Sequence, residues 1–286
     1  MIESWQEYKI INERLRQLIE SSNTIPKVKK ALKHVINSGG KRTRPIIVLL
    51  SGKLCGGSYE DVMNMAMAVE LIHTASLVHD DIIDKGIMRR NVRALHVEYD
   101  ISLAILVGDW LISKSVELVS SYPSDVISEF AKTGMMMSEG EILDVYSPYE
   151  FFDEEKYFKC ITYKTALLFA CGARNSARVV CEDEKAWNKM FEYGLNLGIA
   201  YQLVDDLLEY MNSCAGKISE IESVTLPMIY EEKYGDRTVD MIIELIENYA
   251  EKSRGALGYF EDCEAKDKLE NLIDYMTVNL IENKLA

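Results

Sequence analysis

The sequence predicts an all-α protein, on three observations. Hydrophobic residues make up 48% of the 286 positions and recur at helical spacing through most of the chain. Only five prolines interrupt it, and the glycines are dispersed. Alternating β-branched runs, the mark of half-buried strands, are few. Such a length buries a substantial core, and with no linker, low-complexity tract or short-period repeat, residues 1–286 read as a single domain.

The first helix runs from about Ser4 to Ser21, because Trp5, Tyr8, Ile11, Leu15 and Leu18 fall on one stripe. Pro26 opens the second, through Ile36. NSGGKRTRP, Asn37 to Pro45, reads as a glycine turn carrying Lys41, Arg42 and Arg44. Helices follow over Pro45 to Leu54 and Tyr59 to Asp84; Met63, Met65 and Met67 in the latter suit adaptable core packing. Another spans Ile101 to Ser121, and Pro123 starts one through Val145, whose Glu139, Glu141 and Asp144 read as ordinary exposed acids. Asp153 has the character of an N-cap for one long helix to about Val180, carrying YKTALLFACGA. Asp183 begins the next, ending near Tyr210. Met211 to Ser223 is polar and reads as a loop or lid, and Thr225 to Ala286 supplies three or four more helices around Leu226, Ile229, Met241, Leu245, Leu257 and Leu272.

The formal charge of −14 argues against a nucleic-acid role, since no net basic field is available to displace counterions from a phosphate backbone. Any phosphate must be gripped locally, by metal and a few placed cations. Cys55, Cys160, Cys171, Cys181, Cys214 and Cys263 show no CxxC pair or Cys/His metal spacing, so they read as reduced thiols of a cytoplasmic protein. The N-terminus mixes charge with apolar residues and has no signal-like apolar core, and no window offers the ~18 uninterrupted apolar residues of a membrane span.

Two acidic clusters carry the chemistry. Asp80, Asp81 and Asp84 follow an apolar helical run, and Arg89 and Arg90 come just after. Asp205, Asp206 and Glu209 repeat the i, i+1, i+4 spacing after GLNLGIAYQLVDDLLEY. Carboxylates about 4 Å apart at an effective dielectric of ~20 repel by roughly 4 kcal/mol, which favours a proton or a cation between them. A helical bundle can bring the clusters face to face around one cavity, where Mg²⁺ takes one or two carboxylates and phosphate oxygens complete its shell. His73 lies two turns before Asp80 and is weighed as a ligand, although a lone histidine on an apolar helix is commonly a core residue.

GGKRTRP, LIHTASLVHDDIIDKGIMRRN, YKTA, YQLVDDLLEY, AGK and TLP, from roughly Gly39 to Pro227, occur in an order and spacing that resembles the trans-isoprenyl diphosphate synthases, the family of farnesyl, geranylgeranyl and longer polyprenyl diphosphate synthases. The resemblance implies an isoprenoid synthase fold: a bundle of about a dozen helices around a deep central cavity, usually a homodimer. It implies ionisation of an allylic prenyl diphosphate, addition of isopentenyl diphosphate and loss of a proton to the departing diphosphate. It also implies a cofactor, Mg²⁺, with three ions expected when diphosphate is bound. Asp80, Asp81 and Asp84 on one side, and Asp205, Asp206 and Glu209 on the other, match the metal ligands. Arg89 matches the arginine on the allylic diphosphate; Lys41, Arg44, His73 and Arg90 match the grip on isopentenyl diphosphate; Lys164, Thr165, Gln202 and Lys217 line the allylic site.

The growing chain is expected to run back along the first acidic helix, about 5.4 Å per turn. Ala75 and Ser76, one turn up, are small where an early stop needs an aromatic, and Ile72, Val69 and Ala68 form the next layers, so the expected product is C20 or longer. Three departures stand out: Glu209 ends the second triplet where aspartate is usual, Asn91 follows the arginine pair where glycine is usual, and Glu222 and Ser223 replace a second lysine in a shortened lid. These keep open a regulatory or product-length subunit that pairs with another prenyl synthase, so a hetero-oligomer stands beside the homodimer. A terpene cyclase fits less well, because GGKRTRP and Arg90 suit a second diphosphate.

Overall fold

The computed structural model describes residues 2–214 and 223–285. Helices α1 (Gln6–Ser21), α2 (Pro26–Asn37), α3 (Thr43–Leu54) and α4 (Tyr59–Ile83) come first. A hairpin of β1 (Met88–Arg89) and β2 (Val92–Arg93) leads into the single turn α5 (Leu95–Glu98). Then follow α6 (Ile101–Val119), α7 (Ser124–Tyr146), α8 (Glu154–Ile161), α9 (Leu167–Val180), α10 (Glu184–Cys214), α11 (Leu226–Tyr234), α12 (Thr238–Leu257), α13 (Glu264–Met276) and α14 (Val278–Leu285). The all-α expectation holds, with one sheet of two residues per strand among the described residues.

Local chemistry sets these boundaries. Ser58 and Asp61 form a reciprocal capping box that starts α4, Asp100 accepts from the Leu103 amide at 2.7 Å to start α6, and Asp153 accepts from the Lys156 amide at 2.9 Å to start α8. Helix α4 is buried nearly all round, which makes it a central strut rather than a surface helix. Its apolar residues join those of α1, α2, α6 and α7 in one core cluster, while α3, α9, α10, α12 and α13 share a second and α8, α10, α11 and α12 a third.

Two expectations need correction, and one element is new. The single helix over 153–180 is broken into α8 and α9 by a π-helical stretch at Thr162–Ala166, the TYKTA segment. The extra residue in a π turn leaves no composition signature, and such bulges cluster at functional sites. Its neighbour explains its tight seating: a Cβ at Gly140 on α7 would stand 2.3 Å from the Lys164 amide nitrogen, so only glycine permits this backbone approach. Of the loop or lid expected over 211–223, Met211 to Cys214 instead extend α10, and residues 215–222, with Lys217 and Glu222, lie outside the described residues. The hairpin was not foreseen. Arg90 and Asn91, at φ 52° and 64°, are its two turn residues, a primed turn for which asparagine is the best substitute for glycine. Asn91 therefore keeps the backbone that the departure at this position put in question.

Candidate active site

One cavity of about 1360 Å³ opens between α3, α4, α6, α7, the π turn and α10. Its polar end is lined by Lys41, Arg44, His73, Asp80, Arg89, Arg90, Lys164, Thr165, Gln202 and Asp205. Its apolar end is walled by Ile72 of α4, Ile112 and Val116 of α6, and Phe130, Ala131, Gly134 and Met137 of α7. Asp80 and Asp205 thus share one hollow, the juxtaposition on which the sequence reading depended.

The acids of each triplet point to different surroundings. Asp80 faces the cavity; burial, reinforced by the nearby Glu141 carboxylate, pushes its pKa up to about 7 against the pull of Lys164. Asp81, next in sequence, points off to another side of the helix. It is 4% exposed and accepts from Arg89 Nε at 2.8 Å and Nη2 at 2.5 Å. Matched to a metal ligand by resemblance, it is paired in this conformation with an arginine that reaches the cavity rim. Asp84 caps the end of α4 and stands outside the lining.

On α10 the pattern repeats. Asp205 lines the cavity and takes a hydrogen bond from the Tyr201 hydroxyl, whose pKa burial and that carboxylate push up to about 12. Asp206 is buried outside the lining, where Oδ1 accepts from Gln202 Nε2 at 2.8 Å and Oδ2 from Tyr157 Oη at 2.5 Å. Burial pushes its pKa up to about 7 in spite of those two donors. Thr165 Oγ1 donates to Gln202 Oε1 at 2.8 Å, so the π turn and the second triplet are joined by a continuous hydrogen-bonded chain. Glu209, one turn on, also stands outside the lining.

The basic segment splits into a structural and a site-facing half. Arg42, in the left-handed region at φ 53°, turns its guanidinium inward onto Glu70, the Ile36 carbonyl and Asn12. That buried pair anchors the loop at the cavity wall, to which Arg42 and Glu70 also belong, and its neighbours Lys41 and Arg44 line the same cavity. Arg44 lies over the Phe169 ring at 4.3 Å and contacts His73 Nε2 at 3.1 Å. Burial and four surrounding arginines, Arg44 first, hold His73 well below its usual range, so the imidazole is neutral and accepts from Arg44. Arg90 bonds the Gly39 carbonyl, and its guanidinium fills the space that a Cβ on Gly40 (φ +134°) would need.

Lys164 is held by two acids read from sequence as ordinary exposed residues: its ammonium meets Glu141 Oε2 at 2.8 Å and Asp144 Oδ2 at 2.5 Å. Burial pulls the lysine pKa down, yet the two carboxylates outweigh it and the net shift is upward. The i, i+3 spacing of Glu141 and Asp144 near an apolar face was the available signal. For Tyr157 there was none, because its partner on another helix is set by packing, whereas Tyr201 lies four residues before Asp205 on α10, an i, i+4 spacing that sequence could show. Of the five chain-length candidates, Ile72 and Ser76 line the cavity, whereas Ala68, Val69 and Ala75 are fully buried in the core and stand outside its lining. Val69 is directed at α9, close to Gly172. The wall opposite Ile72 comes from α6 and α7, which helical arithmetic along α4 could not supply.

Residues 25–256 match the polyprenyl synthetase family model. The chain belongs to the polyprenyl synthetase family. It is 41% identical over 283 residues to a geranylfarnesyl diphosphate synthase of Methanosarcina mazei, covering 99% of this chain and 96% of that one. It is 33% identical over 250 residues to a geranylgeranyl diphosphate synthase of Sulfolobus acidocaldarius, covering 83% and 72%. Among solved structures, a geranyltranstransferase from Methanosarcina mazei superposes with a TM-score of 0.86 at 39% identity, covering 98% of this chain and 100% of that one. The chain is a trans-prenyltransferase with the all-α isoprenoid synthase fold. The alternative of a regulatory subunit has no support in these relatives. Among the described residues no helix is long and apolar enough to cross a membrane.

Proposed function

We propose that this chain condenses isopentenyl diphosphate with an allylic prenyl diphosphate, releases diphosphate, and makes a product of C20 or longer. One observation carries the reading: Asp80 and Asp205, from different helices, face a single cavity whose far end is hydrocarbon. The names of the relatives, geranylfarnesyl and geranylgeranyl diphosphate synthases, support the product class.

The donor set fits Mg²⁺. The cavity presents hard oxygen donors, the carboxylates of Asp80 and Asp205, and Mg²⁺ takes one or two carboxylates and completes its octahedron with phosphate oxygens. Asp80 and Asp205 would hold it, with Asp84 and Glu209 adding charge a turn away and three ions in the diphosphate-bound state. When bound, Mg²⁺ supplies neutralisation of the charge that develops on the leaving diphosphate. Arg89, aimed by Asp81, and Lys164 add fixed positive charge on the same side. Lys41, Arg44, neutral His73 and Arg90 hold the second diphosphate, which has to stay intact and is better bound by cations than by a metal-rich wall. The Thr165 and Gln202 dipoles face the allylic carbons, and the apolar walls exclude water from the cation. We place the enzyme in the cytoplasm, where its six cysteines, all free thiols, stay reduced. A homodimer through the exposed apolar residues of α6, Ile101, Ile105 and Leu106, is part of this reading.

The test incubates the purified chain alone with Mg²⁺, isopentenyl diphosphate and allylic primers of several lengths. Products of C20 or longer are expected; activity only after addition of another prenyl synthase would overturn the proposal.

A further inference from the structure

Lys164 stands in the site as a diphosphate-binding cation, yet its charge is already engaged. Glu141 Oε2 and Asp144 Oδ2 take two of the three ammonium protons at 2.8 and 2.5 Å. The close approach of Gly140 to the π turn fixes both acids against Lys164, because Glu141 and Asp144 follow Gly140 on the same helix. The pair is asymmetric. Glu141 lines the cavity and Asp144 does not, and Glu141 Oε1 is buried with no hydrogen-bond partner. Two carboxylates on one ammonium leave one uncompensated negative charge, in the wall that also carries Asp80.

We propose that Glu141 is a positioning residue that competes with the allylic diphosphate for Lys164, whereas Asp144 is the standing anchor of that lysine. On arrival of a diphosphate, the Lys164–Glu141 pair opens and a phosphate oxygen accepts the ammonium hydrogen bond that Glu141 held. The Asp144 contact stays, so the ammonium is not released into the cavity. Glu141 thereby weakens binding of diphosphate, substrate and departing product alike, and favours release of the product diphosphate after each condensation. This rests on the reading of Lys164 as a diphosphate ligand.

The experiment measures inorganic pyrophosphate affinity by titration calorimetry at saturating Mg²⁺, for the full chain, Glu141→Gln, Lys164→Met and the double variant. Glu141→Gln is expected to tighten pyrophosphate binding about fivefold, the range of a partly exposed ion pair, and to lose that gain in the Lys164→Met background. Glu139→Gln, on the exposed side of the same helix, is expected to change nothing. An equal gain in both backgrounds would mean a field effect or a metal effect and would overturn the inference, as would no gain or weaker binding. If Lys164→Met itself binds pyrophosphate as tightly as the parent, the reading of Lys164 fails, and the inference with it. Asp144→Asn provides a second variant should Glu141→Gln not fold: it loosens the same ammonium, and it is expected to weaken binding because the anchor is lost.

Discussion

Asp80 and Asp206, each with a pKa pushed up to about 7 by burial, make the stability of this enzyme depend on pH and metal together. Both pKa values lie above the unfolded carboxylate value, so folding is favoured by protons. The contribution is fully present below about pH 4 and is lost as the pH rises through 7. The rise of each carboxyl from its ordinary range to about 7 sets an upper bound on the order of 4 kcal/mol apiece, reduced by relaxation of the site. At roughly 2 °C per kcal/mol for a chain of this size, the metal-free protein is expected to melt several degrees lower at pH 8 than at pH 6. Mg²⁺ binds the ionised form of Asp80, so its stabilising increment should be small at pH 6 and largest at pH 8, with release of up to about one proton per chain on binding at pH 6. Melting curves in EDTA and in Mg²⁺ across pH 5.5 to 8.5, with calorimetry in buffers of differing ionisation enthalpy, read both quantities. A metal-free melting temperature that rises from pH 6 to 8, or Mg²⁺ binding with no proton release, would refute the reasoning.

Three further expectations concern single side chains. Ser76→Phe places a ring in the cavity and should shorten the main product by at least one C5 unit, whereas Ala75→Phe, at a fully buried position, should instead cost about 1–3 kcal/mol by overpacking; product sizing and melts of the two variants separate these outcomes. Asp81→Asn removes the charge that aims Arg89, and should raise KM for the allylic diphosphate about tenfold, roughly 1.4 kcal/mol; an unchanged KM in steady-state assays would show that the pair is idle. Arg42→Ala strands Glu70 in the core and should cost about 3–5 kcal/mol in denaturant unfolding, far more than Arg93→Ala on the surface.

Much of the molecule was legible because local chemistry writes it. Helical spacing gave the all-α class, Asp153 gave its own cap, and the repeated acid triplets gave the two walls of the site. The same patterns could not say which way each acid points. Asp80 and Asp81 are adjacent, so about 100° of helix separates them: one meets the cavity and the other meets Arg89. The basic loop likewise reads as one patch in sequence, yet the Arg42 charge is taken up by buried Glu70 in the cavity wall while Arg44 lies against Phe169 and His73.

What the sequence determined by itself was the set of groups, two triplets of acid, a ring of cations and a long apolar helix, because residue type and periodicity are local properties. Tertiary structure alone decided their partners: Tyr157 for Asp206, Glu141 and Asp144 for Lys164, and α6 and α7 rather than α4 for most of the apolar wall. Each of those pairings joins residues on different helices or turns. Their contact depends on how closely the backbones approach, and that is set by the packing of the whole bundle, down to the single missing Cβ of Gly140.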